Sequence, residues 1–227
     1  MKHLEKRGKN EKKRLFASII VPFLFLFLAF TLKLIETLEG VSFSELGIKP
    51  LSLQGLPGIL LAPVIHGDWE HLGANAIPLM VLGTSLFYFY RGVSFRVFLL
   101  IYLLTGAWVW FGARDAWHIG ASGVIYGLGA FLFFSGIIRN HIPLIALSLI
   151  VVFLYGSLIW GIIPFKWDVP YSWESHLWGS IAGLVLAIVY RKEGPQRTVY
   201  YWPEEEETED DYWNTDVIES NGGKAED

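Results

Sequence analysis

The chain contains no cysteine, which excludes disulfides, thiolate nucleophiles and the Cys-type zinc and iron–sulfur sites. It is also short of charge along its middle: only 18% of its 227 residues are Asp, Glu, Lys or Arg, and these crowd into the two ends and a few short connections. What fills the middle is apolar, with 53% of the chain hydrophobic, arranged in runs of about 20 residues, the length that crosses a hydrocarbon core of roughly 30 Å as a helix. A small-x-small cleavage site is missing after the first run, Leu15 to Leu34, and that run is longer than a signal-peptide core. It is therefore expected to be a retained anchor.

Six spans can be drawn: Leu15–Ile35, His71–Tyr90, Phe95–Ala113, Gly120–Ile138, His141–Ile163 and Trp173–Tyr190. The expected fold class is an all-α membrane protein, a bundle of six transmembrane helices. Residues 1–14 form a basic N-terminal segment, residues 15–190 the six-span domain, and residues 191–227 an acidic tail expected to be disordered and solvated. The first connection, Glu36 to Glu70, is the only long one, and its mixture of Gly, Pro and apolar residues is expected to lie in the interface rather than cross.

The formal net charge of −4 hides an asymmetry. With the N-terminus inside, thirteen of the eighteen Lys and Arg fall on inner segments: seven before the first span, then Arg91, Arg96, Arg139, Arg191, Lys192 and Arg197. Outer connections hold Lys49, Arg114 and Lys166. Such a bias orients membrane proteins, so both termini are expected to be cytoplasmic.

Polar residues inside spans are costly and are functional candidates by default. Here they share one side. His71 and Asn75 open the second span, Ser122 the fourth and His176 the sixth, and all three helices begin at the outer surface. At about 1.5 Å per residue, the 14 apolar residues Leu177–Tyr190 place His176 roughly 21 Å above the inner boundary; Ser122 and Asn75 come out at about 25 and 24 Å. All lie in one layer a few ångströms beneath the outer face.

A seryl oxygen needs a base to become nucleophilic, and neutral imidazole suits that task near neutral pH. Ser122 and His176 supply such a pair. Attack on an amide carbonyl creates an oxyanion, and His71 and Asn75, at i and i+4 on one helix face, are candidate donors with the backbone N–H of Ser122. Gly123 with Gly127, and Gly179 with Gly183, form G-x-x-x-G pairs that let the fourth and sixth spans approach closely. Taken singly, such a pair is more often plain packing, and a lone Ser or His in a span more often structural. His118, four residues before Ser122, is a rival base, discounted because it falls in the connection after Ala113, outside the packed helix faces, although it could line the water path.

Three blocks resemble the rhomboid intramembrane proteases. Gly120-Ala121-Ser122-Gly123 is similar to the family's nucleophile motif; His176-Leu177-Trp178-Gly179-Ser180-Ile181-Ala182-Gly183 to its H-x-x-G-x-x-x-G motif; and His66 to Asn75 to its H-x-x-x-x-H-x-x-x-N block. The resemblance implies Ser122 as nucleophile, His176 as general base and then acid, His71 and Asn75 as oxyanion ligands, Gly120, Gly123, Gly179 and Gly183 as supporting residues, and Tyr126 as the ring packed on the catalytic imidazole. It implies a dyad without an acidic third member; His66 matches a position frequent in the family and is read as structural rather than catalytic, and no metal or organic cofactor is expected. A Trp-Arg pair in the first connection, carried by many bacterial rhomboids, is absent, as is a Glu in the inner half of the second span.

The function so expected is hydrolysis of peptide bonds in or near transmembrane segments of other membrane proteins, which with the lipid bilayer are the expected partners; nucleic acid is not. The enzyme would sit in a prokaryotic plasma membrane with its site open to the outer face, the fifth span as lateral gate and the loop Pro164 to Ser172 as cap. The alternatives are a catalytically silent rhomboid-like protein that binds membrane helices and guides their trafficking or degradation, and a small transporter, which would need a polar path through the whole bundle.

Overall fold

In a computed structural model, residues 2–154 and 172–196 are described, with the side chains of 2–7, 148 and 151–154 left aside. Among these residues the fold is all helical. The helices are α1 (Lys2–Glu39), α2 (Gly58–Leu61), α3 (Trp69–Phe89), α4 (Ser94–Gly112), α5 (Ser122–Ile138), α6 (Ile142–Leu154) and α7 (Trp173–Val189). Extended pairing is confined to one isolated antiparallel bridge between Ile48 and His118.

From Gly8 onward α1 is long and apolar enough to cross a membrane, and so are α3 and α4; α5 and α7 are shorter apolar helices. Only 22% of the most apolar stretch of α1 is buried inside the protein, 44% for α3 and 33% for α4. Phe16, Phe23 and Phe27 of α1 and Phe111 of α4 are more than half exposed. Apolar side chains turned outward on this scale require an apolar surrounding, because leaving them in water forfeits about 25 cal/mol per Å². The chain is built as a membrane protein.

The basic N-terminal segment continues straight into α1, because its Lys, Glu and Arg are good helix formers that outweigh the single Gly8. Its Arg14 donates to the Tyr88 carbonyl at 2.6 Å and lies over the Tyr88 ring, while Tyr88 Oη donates to Glu11 at 2.6 Å. At the other end of α1, Lys33 donates to the Gly67 carbonyl just before α3 at 2.7 Å. Helices α1 and α3 therefore run antiparallel. They meet closely at Gly83, where an added Cβ would lie 2.9 Å from Pro22 Cβ.

Tyr90, Phe131, Leu82, Leu86, Ile101 and Leu128 form the centre of the main core. Around it α3, α5 and α7 all start at one end of the bundle, where His71 meets Gly120 and Ser122 meets His176. The opposite end is closed by Arg139, which donates to the Ser135 hydroxyl and carbonyl and to the carbonyls of Tyr190 and Glu193, the last at 2.7 Å. Ser135 Oγ also bonds Tyr90 Oη at 2.7 Å, joining the ends of α3, α5 and α7.

The first connection, expected in the interface, packs part of its length against the helices. It folds through 3₁₀ turns at Ser44–Leu46, Leu53–Gly55 and Ala62–Val64, burying Ile48 and Ala62 against α4, Val64 against α1 and α3, and His66 against the turn that opens α5. Small residues permit this: a Cβ on Gly58 would fall 2.1 Å from the Gly47 carbonyl oxygen. The second half of the expected fifth span, the capping loop up to Tyr171 and the tail beyond Gln196 lie outside the described residues.

Candidate active site

The expected start of the fourth span at Gly120 moves to Ser122, for a reason that builds the site. Gly120 has φ +105°, a conformation that an L side chain rarely adopts, and its N–H donates to the Ala62 carbonyl at 2.8 Å. The His71 ring lies against it: a Cβ at residue 120 would stand 2.7 Å from His71 Cε1. This kinked residue ends the connection and puts Ser122 in the first turn of α5. There helix geometry leaves the leading N–H groups without intrahelical acceptors.

Across from it, Ser122 Oγ and His176 Nε2 are 2.9 Å apart, a normal hydrogen bond between a hydroxyl and a ring nitrogen. His176 is 8% exposed. The Tyr126 ring, one turn below Ser122, stacks on it with centroids 4.1 Å apart and planes 7° from parallel.

The four glycines make this contact possible. A Cβ on Gly179 would lie 2.0 Å from the Gly123 carbonyl oxygen, and one on Gly183 would lie 2.2 Å from that of Gly127. Helices α5 and α7 are in backbone contact over a full turn. In the other direction, a Cβ on Gly123 would meet Thr105 Cγ2 of α4 at 2.8 Å and the Ser175 carbonyl oxygen at 3.1 Å.

His71 and Asn75 sit in the first turns of α3, capped by Asp68, whose carboxylate accepts the His71 N–H at 2.7 Å. Asn75 is buried, and its Nδ2 donates to the His71 carbonyl at 2.9 Å. One hydrogen of the amide is thus held within the helix, leaving one for another acceptor.

His66 is 1% exposed and touches the nucleophile turn directly: its Nε2 accepts the Ala121 N–H at 3.3 Å, and its ring meets that of His71 edge-on at 5.0 Å. Accepting through Nε2 requires a neutral ring. Burial, reinforced by the neighbouring His71, pushes the His66 pKa down to about 4.

His118 is not outside the packed faces. It is 2% exposed, because its N–H and carbonyl pair with Ile48 at 2.8 and 2.9 Å and draw the connection inward. Its Nδ1 bonds Ser172 Oγ at 2.6 Å and its Nε2 bonds the Arg114 carbonyl at 3.0 Å. With Ser175, Thr105, Gly120 and Gly123 it also lines a small, mainly apolar cavity large enough for a water molecule.

Residues not anticipated from the sequence are Ser172, which caps α7, and Glu174, which is buried and pairs with Arg114 Nε at 3.5 Å. The signal for both was present in Ser172-Trp173-Glu174, a capping serine followed by an acidic first turn. Among the described residues no group of three or more His, Asp or Glu is placed to hold a metal ion.

The profile of the Rhomboid domain matches residues 55–193, a stretch that contains Ser122, His176, His71 and Asn75. The chain belongs to the rhomboid family. An uncharacterized protein of Mycobacterium tuberculosis strain H37Rv is 37% identical over 184 residues, covering 76% of this chain and 74% of that protein. An uncharacterized protein of Mycobacterium bovis matches to the same extent. One from Mycobacterium leprae is 33% identical over 198 residues, covering 83% of this chain and 76% of its own length. The rhomboid family includes intramembrane serine proteases as well as inactive members.

Proposed function

We propose that this rhomboid is an intramembrane serine endopeptidase in which Ser122 and His176 form the catalytic dyad. The observation that carries the reading is the 2.9 Å contact between Ser122 Oγ and His176 Nε2, on an imidazole held flat by Tyr126. A hydroxyl in hydrogen-bond reach of an oriented base is the arrangement that activates serine.

The proposed mechanism is acyl transfer through serine. His176 Nε2 takes the hydroxyl proton as Ser122 Oγ adds to a peptide carbonyl, forming a tetrahedral oxyanion. The donors we assign to that charge are the His71 ring, the remaining Asn75 amide hydrogen and the N–H groups of the first turn of α5. His176, now an imidazolium, gives the proton to the departing amine, leaving an acyl ester on Ser122. Water then repeats the sequence and frees the carboxyl product.

The chain crosses the plasma membrane six times with both termini inside. The start of α3, α5 and α7 faces outward, and transmembrane proteins are the substrates. A substrate helix must unwind locally to present a carbonyl, which favours unstable helices. Purified chain in proteoliposomes should cleave a single-span substrate near its outer end, while Ser122→Ala and His176→Ala should each abolish cleavage with thermal unfolding unchanged. Full cleavage by Ser122→Ala overturns the reading.

A further inference from the structure

His118 links the two segments that carry the halves of the proposed dyad. It is four residues before Ser122, and Ser172, its Nδ1 partner, is four residues before His176. Its side chain is the joint between the connection that delivers α5 and the helix that delivers His176. The hydrogen-bond directions can be assigned. A carbonyl only accepts, so the bond to Arg114 O fixes a hydrogen on Nε2, and in the neutral ring Nδ1 is then the acceptor of the Ser172 hydroxyl. Ser172 Oγ in turn accepts the Ser175 N–H at 3.4 Å and lies 2.6 Å from Ser175 Oγ. The cap of α7 is thus oriented by an imidazole from another part of the chain.

We infer that His118 is a positioning residue for His176: the series Arg114 carbonyl, His118, Ser172, Ser175 pins the first turn of α7 to the nucleophile connection and sets the Ser122 to His176 distance. The inference rests on the reading of Ser122 and His176 as the dyad. The pin is itself anchored, since the His118 backbone is paired with Ile48 on both its N–H and its carbonyl. Glu174 adds a second tie, accepting from Arg114 Nε at 3.5 Å and from the Arg114 backbone N–H at 3.4 Å. An error of about 1 Å in a catalytic contact costs on the order of 10²-fold in rate, so a small loosening here is large in its effect.

The pin also responds to pH. Three charged groups act on His118: Arg114 from its own connection, Lys49 from the first connection and Glu174 from α7. Burial pushes the His118 pKa below its usual value; Arg114 and Lys49 push the same way, against the Arg114 carbonyl and Glu174. The pinned state prefers the neutral ring. Docking is complete above about pH 6.5, the ordinary histidine value, and weakens as pH falls from there through the lowered pKa.

Asn places its side-chain oxygen where Nδ1 stood and keeps the bond to Ser172. Gln reaches the Nε2 position and keeps only the bond to Arg114 O. With full-length chain in proteoliposomes, His118→Phe and His118→Gln are expected to lower kcat at least tenfold with KM within twofold. His118→Asn should stay within threefold of wild type. It should also show a shallower acid limb in the pH–rate profile, one ionisation in place of two. Thermal unfolding midpoints check that each variant folds. Equal rates for Asn and Gln, an unchanged acid limb in Asn, or a wild-type rate in Phe would overturn the positioning role while leaving the dyad standing. Absence of cleavage by the wild type itself would remove the dyad reading, and this inference with it.

Discussion

Gly179→Ala is the smallest change that tests how the site is built. The added Cβ would stand 2.0 Å from the Gly123 carbonyl oxygen, against the 3.0 Å below which real Cβ atoms essentially never come. The obstacle is main chain on α5, so no side-chain rotation relieves it, and α5 and α7 must part by about 1 Å. Gly123 is the residue after Ser122, and Gly179 is one turn after His176, so the separation falls on the proposed dyad. A 2.9 Å bond lengthened by about 1 Å is no longer a hydrogen bond. The expected loss in kcat is on the order of 10²-fold, about 2.7 kcal/mol of activation free energy. Cleavage of a single-span substrate in proteoliposomes measures it, with the unfolding midpoint recorded alongside. Gly129 of the same α5 helix is the control, since its Cβ would meet only Leu82 at 3.8 Å, and Gly129→Ala should retain the wild-type rate. A Gly179→Ala variant within twofold of wild type would refute the close-approach argument.

Gly120→Ala should fail for two separable reasons, the φ of +105° and the His71 ring 2.7 Å from the new Cβ; adding His71→Ala should recover only the part of the stability lost to the clash and none of the rate, and recovery of the rate would show that His71 only fills space. The pKa of His66 lies near 4, against 6.5 when unfolded, so its contribution to stability is whole above about pH 6.5 and is lost as pH falls through about 4. That shift is worth roughly 3 kcal/mol, and chemical unfolding in detergent from pH 7 to 4 should show a flatter pH dependence in His66→Phe. Arg139→Met removes the donors that hold the Tyr190 and Glu193 carbonyls at the far end of the bundle. It should lower stability by about 2–3 kcal/mol while leaving the rate per folded molecule within twofold; a rate loss exceeding the loss of folded protein would contradict that separation.

The helices were legible because hydropathy and charge agree. The spans expected at His71–Tyr90 and Phe95–Ala113 emerge as Trp69–Phe89 and Ser94–Gly112, their ends marked by polar and charged residues. Where the two signals part, the boundaries move. A charged but helix-favouring segment lengthens α1 to Lys2, and Gly120, apolar by composition, is excluded from α5 by its backbone conformation. Ser122, His176, His71 and Asn75 stood out in the sequence because each is polar at the head of an apolar run. His118 could not be placed the same way. Its burial comes from pairing with Ile48, a contact between two connections that no periodicity records, and its partner Ser172 looks like any helix cap. Arg114 and Glu174 share that property, each ordinary until the fold brings them together.

In the proposed dyad Ser122 is a nucleophile activated by His176. Reaction of the purified chain with a fluorophosphonate, followed by peptide mass spectrometry, tests it most directly. One adduct is expected, on Ser122, formed at a rate that His176→Ala lowers to background and that Tyr126→Leu lowers in part. Labelling elsewhere, no labelling at all, or labelling of Ser122 at an undiminished rate in His176→Ala would contradict it.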